Sequence, residues 1–285
     1  MNKPILVFGS ARSGTSWLSE LMAKPRGYRL LFEPEHEEHV PQGHLLADVW
    51  MKQVEDIGQA RSFIKRFLAN RVDNDWIGQN SHRKFKMHLW PFLVRQIIVK
   101  FVRCNLSMVL MAEQFDVRVV YLRRHPYDTI FSQSRVHFPW LFDLKKFAAN
   151  DLLCEEIMLR YGVDIRNESF TNWERLALRW SIENIFIEDY FGGRLSGNIT
   201  YVQYENLVEN AVACAALFRN LGLMIPDNFE RLIGRPSSKT HPKSAIRTNQ
   251  GTTRVEASGG LSRDVRREIA GVFQRFGRHE FVEEE

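Results

Sequence analysis

The sequence predicts an α/β fold, a three-layer α/β/α arrangement around a central parallel sheet of about five strands. Three observations point to it. Short apolar runs alternate with longer stretches of helical spacing. The first run, Ile5–Phe8, contains no polar residue, as expected of a strand covered on both faces. That run ends in a glycine-bearing turn, Gly9 to Ser16, which leads straight into a helical pattern.

The elements follow in order. Thr15 or Ser16 can cap the first helix, with Trp17, Leu18, Leu21 and Met22 on its apolar face. Pro25 and Gly27 end it, and Tyr28–Phe32 reads as the second strand. A loop containing Pro and His runs from Glu33 to Gly43, and two helical patterns fill 45–71. Lys84–His88 is expected to be the third strand, with a helix near 106–115. Arg118–Leu122 is the fourth strand, and Pro126 suits the first turn of the helix after it. The stretch 143–190 is expected to be helical, with Trp173, Leu176, Trp180 and Ile187 at helical spacing. Ile199–Gln203 is the fifth strand, followed by a helix that buries Leu207, Ala211, Leu217 and Leu221. Residues 234–260 lack periodicity, and a last helix carries Leu261, Val265, Ile269, Val272 and Phe276. With no repeat, low-complexity segment or linker, 1–285 reads as a single domain.

Composition narrows the function class. Of 285 residues 44% are hydrophobic, enough for a sizeable core and against global disorder. Cys104, Cys154 and Cys214 lie far apart and form neither a metal pair nor a disulfide framework. The sequons at Asn105, Asn167 and Asn198 read as chance matches. No apolar run approaches the roughly 18 residues of a membrane span, and charged and polar residues interrupt the first run too early for a signal peptide. The expectation is a soluble protein of a reducing, cytoplasmic compartment. The net charge of +5 comes from 39 basic and 34 acidic residues. It resides in one stretch: Arg235, Lys239, Lys243, Arg247 and Arg254, with no Asp or Glu between Arg235 and Val255. No nucleic-acid motif accompanies it.

The turn after the first strand sits where backbone N–H groups and a helix N-terminus can cradle an anion. Ser10, Ala11, Arg12, Ser13, Gly14, Thr15 and Ser16 are its candidate binding residues. The spacing between Gly9 and Gly14 matches a Walker A loop, but Thr15 stands where that loop needs Lys. A nucleotide or small-molecule kinase is therefore the alternative reading, not the first. The cation has moved into the loop as Arg12. An ordinary strand–turn–helix corner would need only the glycines.

Arg12-Ser13-Gly14-Thr15-Ser16-Trp17 resembles the 5′-phosphosulfate loop of sulfotransferases that use 3′-phosphoadenosine 5′-phosphosulfate (PAPS). The segment Val119 to Ser132 resembles the 3′-phosphate motif of that family, with Arg124, Asp128 and Ser132 in register. Tyr204-Glu205-Asn206-Leu207 resembles its Tyr-Glu-Asp-Leu, whose Tyr lies near the adenine. The resemblance implies a fold related to the P-loop nucleoside kinases. It also implies PAPS as cofactor, with transfer of its sulfuryl group to an acceptor hydroxyl by in-line displacement. Arg124 and Ser132 would grip one phosphate, Tyr204 would border the base, and Arg247 would belong to a cationic lid within 234–260. The family's C-terminal Arg-Lys-Gly is absent here.

Two residues compete for the base that deprotonates the acceptor. Leu31-Phe32-Glu33-Pro34 resembles the Phe-Glu-Pro of carbohydrate sulfotransferases and proposes Glu33. Lys86-Met87-His88 resembles the Lys-Thr/Ser-His of cytosolic sulfotransferases and proposes His88, with Lys86 at the sulfate. Histidine suits the role without tuning, whereas a carboxylate needs burial. The carbohydrate-type features favour Glu33 and a carbohydrate or glycolipid acceptor. His36-Glu37-Glu38-His39 is not a His-Glu-x-x-His motif, and no metal is expected. Aromatic residues at 131–142 are available either to stack on an acceptor or to fill the core.

Overall fold

The computed structural model describes residues 2–52, 54–81, 84–90, 92–136, 138–192, 197–238 and 257–282. Five parallel strands form one sheet in the order β2-β3-β1-β4-β5. They are β1 (Ile5–Phe8), β2 (Tyr28–Phe32), β3 (Gln96–Lys100), β4 (Arg118–Arg123) and β5 (Ile199–Gln203). Four of them lie where the sequence pattern puts them.

The third strand does not. Lys84–Leu89 forms a 3₁₀ turn, and Gln96–Lys100 is the strand. The alternation in Lys84–His88 mimics a half-buried strand, but position 3 in this sheet lies between β2 and β1 and is covered on both faces. Gln96-Ile97-Ile98-Val99-Lys100 meets that demand because both polar ends are satisfied. The Gln96 amide donates to the carbonyls of Lys3 and Ile97, and Lys100 pairs with Glu33.

Alternate residues of each strand feed two cores, which makes the third layer. Ile5, Val7, Leu30, Ile98, Val120 and Leu122 pack with α1 (Thr15–Met22) and with helices of the 204–233 region. Leu6, Phe8, Leu31, Ile97, Val99 and Val119 face the larger core. That core receives α2 (Gly58–Leu68), α3 (Met108–Gln114), α4 (Pro126–Ser134) and the long helix that begins at Asn172. Within 45–71 only α2 is regular helix, preceded by 3₁₀ turns at Gly43–Leu45 and Val54–Ile57. The expected 143–190 helical stretch is broken between Tyr161 and Asn172. The three cysteines are buried and free. No helix among the described residues is long and apolar enough to cross a membrane.

Two features aim this fold at its site. Chain order reverses beside β1, with β2 and β3 to one side and β4 and β5 to the other, so a crevice opens at the carboxyl ends of the strands. The Asn172 helix also opens into a π turn at Ile182–Phe186 before continuing at Ile187–Phe191. There Asn184 donates to Ser10 Oγ at 2.9 Å and accepts from the Tyr121 hydroxyl at 2.9 Å. One turn back, Arg179 is buried between Asp48 (2.9 Å) and Glu183 (3.0 Å). Asp48 also takes Arg103 Nε at 2.9 Å. Burial works against the Asp48 carboxylate, but Arg179 and Arg103 outweigh it and hold its pKa below the ordinary value.

The contribution of Asp48 should persist above its unfolded pKa, near 4, and fade as pH falls below that. Asp48→Ala leaves two guanidiniums without their shared partner. It should cost about 3–5 kcal/mol in urea unfolding at neutral pH.

Candidate active site

The turn after β1 is held from below and from both sides. Ser13 N–H closes on the Ser10 carbonyl at 3.1 Å, and Gln133 donates to the Ala11 carbonyl at 2.9 Å. Arg12 adopts φ +70°, a conformation L-residues rarely hold. Gly14 takes φ +96°, and a Cβ there would sit 2.4 Å from the Tyr204 ring. Only glycine lets Tyr204 pack this close to the backbone. Tyr204 in turn rests edge-on to Trp17 and beneath the Arg124 guanidinium, 5.1 Å from its ring centre.

Two guanidiniums converge on this turn. Arg124 Nη1 donates to the Arg12 carbonyl at 3.3 Å, and Arg12 Nε donates to Ser132 Oγ at 3.1 Å. Ser132 is thus tied to Arg12 rather than to Arg124, and the two predicted phosphate motifs meet through Arg12. Burial first, and then the Arg124 charge, pull the Arg12 pKa down to about 10. Asp128 lies 4.0 Å from Arg124, and among the described residues no carboxylate pairs with Arg12. The second arginine of the pair, Arg123, is used structurally, against Glu188 at 3.0 Å and over Trp180.

A cavity of about 320 Å³ opens from this turn across the ends of β2 and β3. Arg12, Gly14, Thr15, Ser16, Arg124 and Tyr204 line one half. Glu33 and Lys100, the residues that close β2 and β3, line the other and pair with each other. Glu33 holds φ +43°, so the base candidate and the loop arginine both sit on left-handed backbone. Such conformations cost about 1–3 kcal/mol each and persist where surrounding structure enforces them. Ser10 and Ser13 are buried behind the turn, and Ser13 Oγ has no partner.

His88 lies elsewhere. It is buried on the 3₁₀ turn, Nε2 3.1 Å from Asp73, which also takes Arg29 at 2.8 Å, and it is not part of the cavity wall. Lys86 belongs to the same turn, and its side chain is outside the described residues. Most of the cationic 234–260 stretch, Arg247 included, also lies outside them. Its described beginning is fixed to α1, where Glu20 accepts from Ser237 Oγ at 2.9 Å and from Ser238 N–H at 2.9 Å. Pro236 and Ser237 reach the cavity wall.

Wall residues that escaped the sequence reading include Lys100, Glu35, Trp76, Gln79 and Arg103. Lys100 had a readable signal, as a basic residue ending the Gln96–Val99 run. Glu35 is fully buried, with Oε1 accepting from the N–H groups of Val102 (2.7 Å) and Arg103 (3.3 Å). Burial, and then the Glu33 charge, raise its pKa to about 7.

The arrangement suits an ester dianion on the arginine side. The first turn of α1 has no side-chain cap, and the Arg124 charge already raises the cost of charge on Arg12.

No protein-family model matches the sequence, and no curated protein matches it. Solved structures similar to this chain include sulfotransferases. One is the sulfotransferase domain from the curacin biosynthetic pathway, 14% identical with TM-score 0.48, covering 96% of this chain and 98% of that one. Another is a sulfotransferase from Alicyclobacillus acidocaldarius, 13% identical with TM-score 0.46, covering 100% and 97%. A third is a mouse sulfotransferase complexed with PAP, 13% identical with TM-score 0.42, covering 97% and 85%.

Glu35 and Glu183 both keep their protons to about pH 7, chiefly through burial, against an ordinary value of 4.5. The folded state therefore binds more protons than the unfolded chain between these values, and stability should fall as pH rises from 4.5 to 7. The urea midpoint should be higher at pH 5 than at pH 7.5. Glu35→Gln and Glu183→Gln should each reduce the difference.

Proposed function

We propose that this protein transfers a sulfuryl group from PAPS to an acceptor hydroxyl on a carbohydrate or glycolipid. The observation that carries the reading is the pair Arg12–Arg124, two buried like charges meeting at a phosphate-loop turn that has Thr15 in place of a lysine.

The residues present fit the donor. The turn N–H groups, Thr15 and Ser16 would hold its 5′ end, and Arg12 would face the oxygen between phosphorus and sulfur. Arg124 would take the 3′-phosphate, while Ser132 steadies Arg12. Tyr204 would border the adenine. Bound there, the donor supplies an electrophilic sulfur whose leaving group is a phosphate oxygen.

Glu33 is the base in this reading. Its place in the wall shared with Arg12 supports it over His88, whose ring lies outside that wall, 3.1 Å from Asp73. Glu33 would take the proton of the acceptor hydroxyl as that oxygen bonds to the donor's sulfur and the bond from sulfur to the phosphate oxygen breaks. Arg12 stabilises the negative charge that collects on the departing oxygen. Lys100, at present the partner of Glu33, is the nearby cation for the sulfuryl oxygens, a role the sequence reading gave to Lys86. The loop 234–260 would cover the 3′-phosphate side, with Arg247 among its cations.

The wild-type protein should be retained on immobilised adenosine 3′,5′-bisphosphate. Arg12→Ala and Arg124→Ala should each weaken that binding by about 10- to 100-fold, the worth of a charged hydrogen bond. Failure of the wild type to bind overturns the proposal, and Mg²⁺-dependent phosphoryl transfer from ATP would replace it with the kinase reading.

Glu33→Gln should lower kcat by about 100- to 10,000-fold with little change in bisphosphate affinity. His88→Gln should leave kcat within a few-fold. The reverse pattern would return the role to His88.

A further inference from the structure

The outer face of α2 carries charge that nothing in the protein balances. Ala60, Phe63, Ile64 and Phe67 bury the inner face of this helix. On the other face lies a groove of about 560 Å³, lined by Arg61, Ser62, Lys65 and Arg66, with Arg71 just past the helix end. No carboxylate lines it, and among the described residues none pairs with these four cations. Arg61 rests over the Phe115 ring at 6.0 Å, a contact that leaves its charge unneutralised. Arg61 and Lys65 stand four residues apart, a spacing at which like charges repel. Lys65 and Arg66, in the last turn, suit the helix dipole. Arg61 near the helix start and Arg71 beyond its end gain nothing from it.

An exposed aromatic turn is tied to this groove. Asn70, between Ala69 and Arg71, donates to the His88 carbonyl at 3.1 Å. His88 is buried, but its neighbours Met87, Trp90 and Phe92 are 43%, 42% and 74% exposed. The turn is closed by N–H groups of Leu93 and Val94 on the Trp90 carbonyl, at 3.0 and 3.2 Å. Asn70 also accepts from Arg29 near the start of β2, and the turn leads into the start of β3. The aromatic turn therefore lies at the amino ends of these strands, away from the carboxyl ends where the cavity opens.

Unpaired cations beside large apolar side chains held in water define the partner by complementarity. An anionic bilayer meets both demands: its headgroups neutralise Lys and Arg, and its interfacial zone takes up Trp, Phe and Met. A second copy of the same face would bring four more cations against these four. A single-stranded nucleic acid needs open ring faces for successive bases. Here the Trp90 and Phe92 rings are tilted 43° against each other, 5.4 Å apart.

We infer that the groove of Arg61, Lys65, Arg66 and Arg71, with the Trp90–Phe92 turn beside it, docks on an anionic lipid bilayer. This surface attachment needs no membrane-spanning helix, and it does not depend on the proposed sulfuryl transfer.

The test measures cosedimentation of the full chain with vesicles of phosphatidylcholine alone and of an equimolar mixture with phosphatidylserine. Partition should be at least about tenfold stronger on the mixture and should fall steeply with added salt. Lys65→Ala and Arg66→Ala, which preserve helix propensity, should each weaken it about fivefold, and Phe92→Ser about tenfold. The urea midpoint of each variant should match the wild type, since all three side chains are exposed. Equal partition on the two vesicle types overturns the surface. So does binding that survives all three substitutions, which would assign it to the basic 235–254 stretch. Binding of a single-stranded RNA oligonucleotide that Lys65→Ala abolishes, without vesicle binding, would overturn the bilayer in favour of a nucleic acid. Self-association that Phe92→Ser abolishes, without vesicle binding, would overturn it in favour of a second copy.

Discussion

The structure is organised around the cost of holding Arg12 and Arg124 side by side in a buried turn. Two like charges out of water repel, and the turn survives because other elements over-determine it. Gln133 and Ser132 arrive from α4, Tyr204 closes against Gly14, and Asn184 holds Ser10 from the opposite core. These residues come from three separate parts of the chain, and none of them neutralises the charge. They fix its position, and Asp128 lies 4.0 Å from Arg124.

The π turn belongs to the same logic. An α-helix continued unbroken from Asn172 would rotate its side chains past the sheet end. The wider turn at Ile182–Phe186 accompanies the placement of Glu183 and Asn184 at the back of the phosphate loop. Glu183 reaches Arg179, Arg179 reaches Asp48, and Asp48 holds Arg103 in the cavity wall. One buried ion network therefore spans from behind Ser10 to the cavity wall at Arg103. Its energy depends on every partner being present, so the two halves of the cavity share a common support.

What was legible in the sequence follows from where each signal resides. The phosphate loop is local: strand, glycines, arginine and helix lie within a few residues, and each element is a short-range consequence of the last. The Arg124–Ser132 segment is local for the same reason, although its partner proved to be Arg12. Glu35 was not legible as a site residue, and Lys100 only as a basic residue ending an apolar run. Their roles depend on β2 and β3 lying side by side, a contact between positions 67 residues apart for Lys100 and Glu33. Lys84–His88 misled because period-two alternation is shared by strands and by irregular turns with one buried edge. Burial on both faces, which only the assembled sheet imposes, selects Gln96–Lys100 instead.

The same distinction explains why the half of the cavity at the turn after β1 is easier to read than the half across β2 and β3. A phosphate recognised by backbone N–H groups and guanidiniums needs glycines and arginines at set spacing, and that need is written in the chain. The other half of the cavity wall uses Glu, His, Trp and Gln, residue types that serve equally in loops and cores. Their meeting in one wall appears only once β2 and β3 lie side by side.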